Sequence, residues 1–482
     1  MMLATIANFF SSARDERYRR LWQWGTLFAA FFFAFTLMVI SSSPEETKPL
    51  MRHAGVFFTH LGMVAFFLFA FLGVYILFLW KGAKLAHDSR TLAIVIFFVC
   101  IFICILFLSP PFFSSDVYGY ISRAVIANTH DANPYQISPA ALGYSGVVAW
   151  PEQVSVYGPL FMNYSLLLSR LIGGDVVANL IGYRLVAAAA FLLCVWLVYK
   201  IAERVIPQSR YAVTALFAWN PFILFEAVHS AHNDVFMMTL VLAAVYAVIR
   251  TRYLWAATFL TGAFLIKFGP IILLPFVALL ALRLPRRQAW RTIGLGALIV
   301  TGMVLATYAP LHNFDRNIGN LGRAFVTDNN LTLPQSMLYA LMSWLDGVIP
   351  GFHFDLVTQR ASYLLTFLVV YIMLLFRRSE TLVDTFIKRW FWVLLVFLFL
   401  LGGKFNVWYT LWFVPLALLV PERHYRPLII LTTLYGFMYY ASLSVFFPNV
   451  LFGVSVALYF LMVQWNTIMG KKWPGRVMPH SS

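Results

Sequence analysis

Apolar runs of about 20 residues recur along the whole chain, separated by short polar or basic stretches. A run of that length is what a hydrocarbon core of about 30 Å requires of a helix. The pattern predicts fourteen helical spans, at 21–40, 54–80, 91–109, 177–199, 211–228, 235–250, 253–268, 270–283, 293–310, 357–376, 389–402, 409–420, 427–444 and 449–468. Alternating segments of about ten residues, the mark of a membrane β-barrel, do not occur. The chain reads as an all-α polytopic membrane protein, with one transmembrane domain over 1–482 and no internal repeat. Its first run follows Arg14, Arg17, Arg19 and Arg20. That run is too long for the core of a signal peptide and reads as a retained anchor.

Charge orients these spans. The net charge of +16 could suggest nucleic acid as a partner, but the basic residues form no single patch and no nucleic-acid partner is expected. With the N-terminus inside, 25 of the 35 lysines and arginines fall in cytoplasmic segments and 12 of the 19 acids fall outside, as the positive-inside rule requires. Both termini are then cytoplasmic, including a tail over 472–482. Segment 157–174 carries Asn163 and Arg170 within an apolar stretch, and counting it as a span would put the basic loop at 200–210 outside. It reads as a partly embedded helix, so that 110–176 is one large outer loop and 311–356 a second. Loops of such length are usually functional. With 61% hydrophobic and 11% charged residues, a soluble enzyme is excluded. Cys100, Cys104 and Cys194 all lie inside apolar runs, with neither a disulfide framework nor thiolate spacing for a metal.

The first outer loop holds the most informative stretch, PPFFSSDVYGYISRAVIANTHDANPY at 110–135. A long span ends at Pro110-Pro111, and Asp116 follows at once. Val117, Tyr120, Ile121, Ala124 and Val125 recur at helical spacing, which predicts an amphipathic helix with its apolar face in the lipid boundary. Ser114-Ser115-Asp116 is also good helix-capping chemistry. An acid between a span and an interfacial helix points further, to a functional site.

Other polar groups gather on the same predicted face. Glu226, His229, His232, Asn233 and Asp234 lie where one span ends and the next begins. The histidines and a nearby acid could bind a metal, hydrogen-bond sugar hydroxyls or a phosphate, or solvate a tight turn. A structural zinc would want four ligands, and no fourth is evident, so no cofactor is expected. Lys267, in LIKFGP, could snorkel or serve as a point charge for a lipid phosphate. Trp408 and Tyr409 suit a membrane interface, and such rings also stack on sugars. Tyr157, Arg123 and Arg323 are further candidates on this side.

Taken in order, Ser115-Asp116-Val117-Tyr118-Gly119-Tyr120, Asn133-Pro134-Tyr135, Val156-Tyr157-Gly158-Pro159, His232-Asn233-Asp234, Lys267-Phe268-Gly269-Pro270 and Trp408-Tyr409 with Pro415 are similar to a family's motifs. The chain resembles the polyprenol-phosphate-mannose-dependent mannosyltransferases, integral-membrane glycosyltransferases of the GT-C fold. Gly158 stands where many relatives carry a second proline. The resemblance implies that Asp116 is the general base on an acceptor hydroxyl. It implies an inverting transfer of a hexose, mannose by preference, from a polyprenyl-phosphate donor to a glycan or lipid acceptor, on the outer face of a bacterial plasma membrane. Tyr118, Tyr120, Arg123, Asn133, Tyr135, Tyr157, His229, His232, Asn233, Asp234, Lys267, Trp408 and Tyr409 are the substrate-binding candidates. A lipid-sugar transporter or flippase is the rival reading, although such proteins more often show broken helices repeated in two halves.

Overall fold

The structure, a computed structural model, describes residues 9–41, 57–81, 85–144, 151–311, 348, 356–377, 382–400, 406–421, 426–441, 451–452, 454–456 and 458–459. Every regular element among them is helical. Arg323, most of the second expected outer loop and the tail after Lys472 lie outside the described residues. The chain divides into two compact units, Met1–Leu331 and Thr332–Ser482.

The first unit runs α1 (Glu16–Ser41), α2 (Phe57–Lys81), α3 (Ser89–Phe107), α4 (Asp116–Thr129), α5 (Pro159–Ile172), α6 (Val176–Val205), α7 (Arg210–Ala218), α8 (Pro221–Leu224), α9 (Asp234–Ile249), α10 (Tyr253–Ile266), α11 (Leu274–Ala281) and α12 (Arg286–Tyr308). Among the described residues, four helices are long and apolar enough to cross a membrane: α1, α3, α6, and α12 with its extension to Leu311. Other apolar stretches form shorter helices, among them α9 and α10. On α1, Phe28, Phe32 and Phe35 are buried, whereas Phe33, Leu37 and Ile40 stay 46–52% exposed. A helix that is apolar on its outward face as well is suited to lipid, and the protein is a multi-pass membrane protein.

The stretch read as one span at 211–228 is broken. Its two halves bend by 53° at Asn220-Pro221. Pro221 has no N–H to continue the helix, and Asn220 Oδ1 accepts from the Ile223 N–H at 3.0 Å to start a new one. The backbone then widens into a π-helical turn, Phe225–His229.

The expected lipid-facing stripe of α4 is corrected by the structure. Val117, Tyr120, Ile121 and Ala124 are buried, and the helix packs on α5 and α6. Tyr120 meets Tyr157 and Phe161 edge to face, each with ring centroids 4.9 Å apart. Helical periodicity identifies an apolar face but not what covers it, and here aromatic side chains cover it instead of lipid.

At 14 residues, α5 is about 21 Å long, short of a hydrocarbon core. Its N-cap, Gly158, donates its N–H to the Ile266 carbonyl at 2.9 Å, which joins α5 to the end of α10. A Cβ at 158 would lie 2.2 Å from the Leu265 carbonyl oxygen. Glycine is thus required by close backbone approach, and proline would lose the N–H as well.

The second unit contains α13 (Leu356–Phe376), α14 (Leu382–Leu400), α15 (Val414–Leu419) and α16 (Arg426–Ala441). Leu365, Met373 and Phe376 on α13 are exposed, again an outward apolar face. The stretch read as a span at 409–420 is a 3-10 turn, Val407–Trp412, followed by the short α15.

Two predictions follow from this packing. Ala141 and Gln208 are both exposed, so a single cysteine at either is reachable in a background without Cys100, Cys104 and Cys194. With loop 110–176 outside, Ala141→Cys reacts with an impermeant thiol reagent on intact spheroplasts and Gln208→Cys reacts only after lysis; the opposite pattern would invert the topology. Gly158→Ala should lower the melting temperature in detergent by an amount equivalent to about 1–3 kcal/mol, the usual cost of overpacking. An unchanged melting temperature would mean that the α5–α10 seam can absorb a methyl group.

Candidate active site

Helix α3 ends at Phe107, just before Pro110-Pro111, and α4 begins at Asp116. The N-cap is Ser115, and Ser114 Oγ accepts from the Asp116 N–H at 3.2 Å. The Ser115 side chain makes no capping hydrogen bond, so Ser114 supplies the local one. The Asp116 carboxylate, 19% exposed, turns toward the loop before α9, where its Oδ2 lies 3.6 Å from His232 Nδ1. On the other side of the same imidazole, Nε2 is 3.1 Å from Glu226 Oε2. Both Glu226 and His232 are fully buried.

The loop reaches this shape by two irregularities. The π-helical turn at Phe225–His229 adds a residue to the turn, a device often found at functional sites. Ala231 then adopts a left-handed conformation, φ 50°, unusual for a residue with a Cβ. Together they return the chain on itself, so that the His232 N–H donates to the Glu226 carbonyl at 3.1 Å. The two histidines are not brought together. His229 Nε2 lies 3.2 Å from Ser109 Oγ, and its ring packs near Phe35 and Phe113.

Asp234 opens α9 and Lys267 follows the last residue of α10. The two helices are antiparallel neighbours joined by a tight turn, so their far ends meet. Lys267 Nζ is 2.9 Å from both Asp234 carboxylate oxygens. Each charge also suits its helix end, the acid at an N-terminus and the cation at a C-terminus. Lys267 therefore has a definite protein partner and does not simply snorkel. Asn233, next to Asp234 in the chain, is fully buried, and its side-chain amide atoms have no hydrogen-bond partner among the described residues. An unmet buried amide costs about 1–3 kcal/mol, and a ligand's hydroxyl would relieve it.

Of the remaining candidates, Arg123 and Tyr157 line a cavity with Asp116. Asp116 shares a cavity of about 40 Å³ with Ser115, Gly119, Arg123, Gln153 and Tyr157, room for a hydroxyl group or a water but not for a hexose. Arg123 is buried and donates to the Gly119 carbonyl at 3.3 Å. Tyr118 is half-buried, and burial raises its hydroxyl above the ordinary tyrosine range. Tyr120 is enclosed by rings, and burial pushes its hydroxyl well up. Asn133 and Tyr135 turn to the protein: Asn133 donates to the Leu311 carbonyl, and the Tyr135 hydroxyl to the Tyr157 carbonyl. Trp408 and Tyr409 belong to the second unit, where their rings pair at 6.2 Å and Tyr409 packs on Trp412 at 5.3 Å.

Two residues outside the substrate-binding candidates come forward: Glu226, read only as a nearby acid, and Arg184, which the sequence reading did not name. Glu226 holds the back of His232. Arg184, buried in the middle of α6, donates to the carbonyls of Leu106, Ser109 (2.9 Å) and Val228 (3.5 Å), and lies over the Phe107 ring at 4.5 Å. It fastens the end of α3, and so the approach to Asp116, to the π-helical turn. Both were detectable as ionisable residues within apolar runs, which usually have a reason to be there.

Comparison with known proteins gives the chain's family. Residues 23–283, more than half of the chain and including the Asp116–Lys267 region, match the family model described as alpha-(1->6)-mannopyranosyltransferase, N-terminal domain. An alpha-(1->6)-mannopyranosyltransferase of Mycobacterium tuberculosis is 32% identical over 152 residues, 30% of this chain and 25% of that protein. Alpha-(1->6)-mannopyranosyltransferase A of the same organism is 27% identical over 195 residues, 39% of this chain and 37% of the relative. The like-named protein of Corynebacterium glutamicum is 23% identical over 206 residues, 42% and 41% respectively. The matches thus span between a quarter and about two fifths of the curated relatives' lengths. No solved structure matches. The chain belongs to the alpha-(1->6)-mannopyranosyltransferase family that this N-terminal domain defines.

Proposed function

We propose that the protein transfers a mannosyl residue from a polyprenyl-phosphate donor to a hydroxyl of a glycan or lipid acceptor, with inversion at the anomeric carbon. The reaction takes place on the extracytoplasmic side of a bacterial plasma membrane, with both termini cytoplasmic. Asp116 is the general base. The observation that carries this reading is the charge arrangement at the site. Three acids meet there: Glu226 faces an imidazole at 3.1 Å, Asp234 faces an ammonium at 2.9 Å, and of the three only Asp116 lines the small cavity that admits a hydroxyl.

The acceptor oxygen attacks the anomeric carbon, and its proton passes to the Asp116 carboxylate. The bond from that carbon to the phosphate oxygen breaks, and the electron pair leaves on the polyprenyl phosphate. A phosphate is already a good leaving group, so the reaction needs a base more than it needs an acid. Cationic groups near the departing phosphate supply the rest. Arg123 beside the cavity and Lys267 beyond Asp234 are the side chains for that task. Asn233 offers its unmet amide to a sugar hydroxyl, and Tyr157 lines the cavity beside Asp116.

The test is turnover by purified protein of a panel of polyprenyl-phosphate sugars. Mannose transfer is expected, and turnover of none would sink the assignment in favour of transport without chemistry. Asp116→Asn keeps the size but removes the basicity. Its turnover should fall by about 10² to 10⁴, the usual scale of general-base catalysis, while donor affinity changes far less. An Asp116→Asn protein that keeps its melting temperature and transfers sugar at the wild-type rate would exclude Asp116 as the base.

A further inference from the structure

One imidazole stands between two carboxylates at this site, and the proposed chemistry leaves it without a task. His232 Nε2 faces Glu226 at 3.1 Å and Nδ1 faces Asp116 at 3.6 Å. We infer that Glu226 and His232 are positioning residues for the proposed base: Glu226 fixes the ring in its imidazolium form, and the ring's other edge keeps the Asp116 carboxylate aimed into the small cavity. This inference rests on the reading of Asp116 as the base.

The chemistry of the ring carries the argument. A neutral imidazole has one N–H and one lone pair, so between two carboxylates it must turn the lone pair on one of them. Only the imidazolium presents a donor to both. Burial opposes the ring's charge, but the Glu226 contact and charge, with the charges of Asp116 and Asp234, outweigh it and raise the imidazole above its ordinary value. The other ionisable groups near the ring fit the same scheme. Lys267 is committed to Asp234, Arg123 lies across the cavity, Tyr120 is a neutral wall with its hydroxyl pushed up by burial, and Arg184 is bound to three backbone carbonyls behind the π-helical turn. Glu226 with His232 and Asp234 with Lys267 each sum to zero, which leaves Asp116 and Arg123 as the charges that line the cavity.

The sign of the pH dependence follows. The contact with Glu226 stabilises the fold fully below the ordinary histidine value and loses that contribution as pH rises through the raised value. Over the same range the ring turns a lone pair on a carboxylate, Asp116 loses its support, and kcat falls. An alkaline limb in kcat is therefore expected above the ordinary histidine range.

The experiment measures kcat and KM from about pH 6 to about pH 9.5, spanning the histidine range, with the full-length protein in detergent and the polyprenyl-phosphate sugar that it turns over. Wild type should show the alkaline limb. Glu226→Gln removes a charge that favours the imidazolium, so the limb should move to lower pH by roughly one unit or more. His232→Gln should remove the limb and lower kcat roughly 10- to 100-fold, as for a misplaced catalytic group, with KM within about twofold. A merely structural pair would lower the amount of folded enzyme without moving the limb. A wild-type kcat that stays flat to the top of the range overturns the inference, whether or not the variants fold. So does a limb that stays in place in both variants. If that happens while Asp116→Asn is inactive, only the positioning role falls; if Asp116→Asn is active, the base assignment falls as well.

Discussion

A carboxylate taken out of water must meet a cation or give up its charge, and the centre of the first unit is built around that constraint. Glu226 and Asp234 are fully buried, eight residues apart in sequence, and each faces a basic group. The Asp234–Lys267 pair closes the open end of the α9–α10 hairpin. The Glu226–His232 contact folds the preceding loop back on itself. Removing one partner of a buried pair typically costs about 3–5 kcal/mol, because the other charge is then stranded. These contacts therefore set the position of a loop that ordinary helix packing would leave free.

The backbone around the site is held by equally specific means. Arg184 spends its guanidinium on carbonyls at the end of α3 and at the π-helical turn. Tyr135 and Asn133 tie the loop after α4 to Tyr157 and to the end of α12. Gly158 lets α5 and the last turn of α10 approach so closely that a methyl group would collide. Segments far apart in sequence are thereby locked against one another, and a carboxylate on α4 can face an imidazole more than a hundred residues away. Such a rigid surround is what keeps a catalytic group within the small tolerance that chemistry allows.

The acid at the end of a span, the polar cluster before α9 and the lysine after α10 were all legible, because an ionisable residue in an apolar chain is conspicuous whatever its neighbours. Their roles were less so. His229 and His232 look alike in sequence at i, i+3, yet one packs near phenylalanines and the other bridges carboxylates. A π-helical turn and one left-handed alanine separate them, and neither has a side-chain signature. Glu226 could be read as a nearby acid but not as the partner of a particular nitrogen. Tyr120 and its stripe read as a lipid-facing surface, since an apolar face carries no label for what will cover it.

Hydrophobic periodicity and the distribution of charge by themselves determined that this is a helical membrane protein, and the ordered motifs indicated its family. Both are local or additive properties: the length of an apolar run, the sign of a loop, the order of short segments. Which carboxylate is paired, which faces the cavity and which histidine lies between them depend on contacts across the chain. Those contacts follow from where the helices stop, how the chain bends at Asn220-Pro221, and how closely α5 meets α10. Desolvation acts on distance in space, and the separation of residues along the chain carries no measure of that distance.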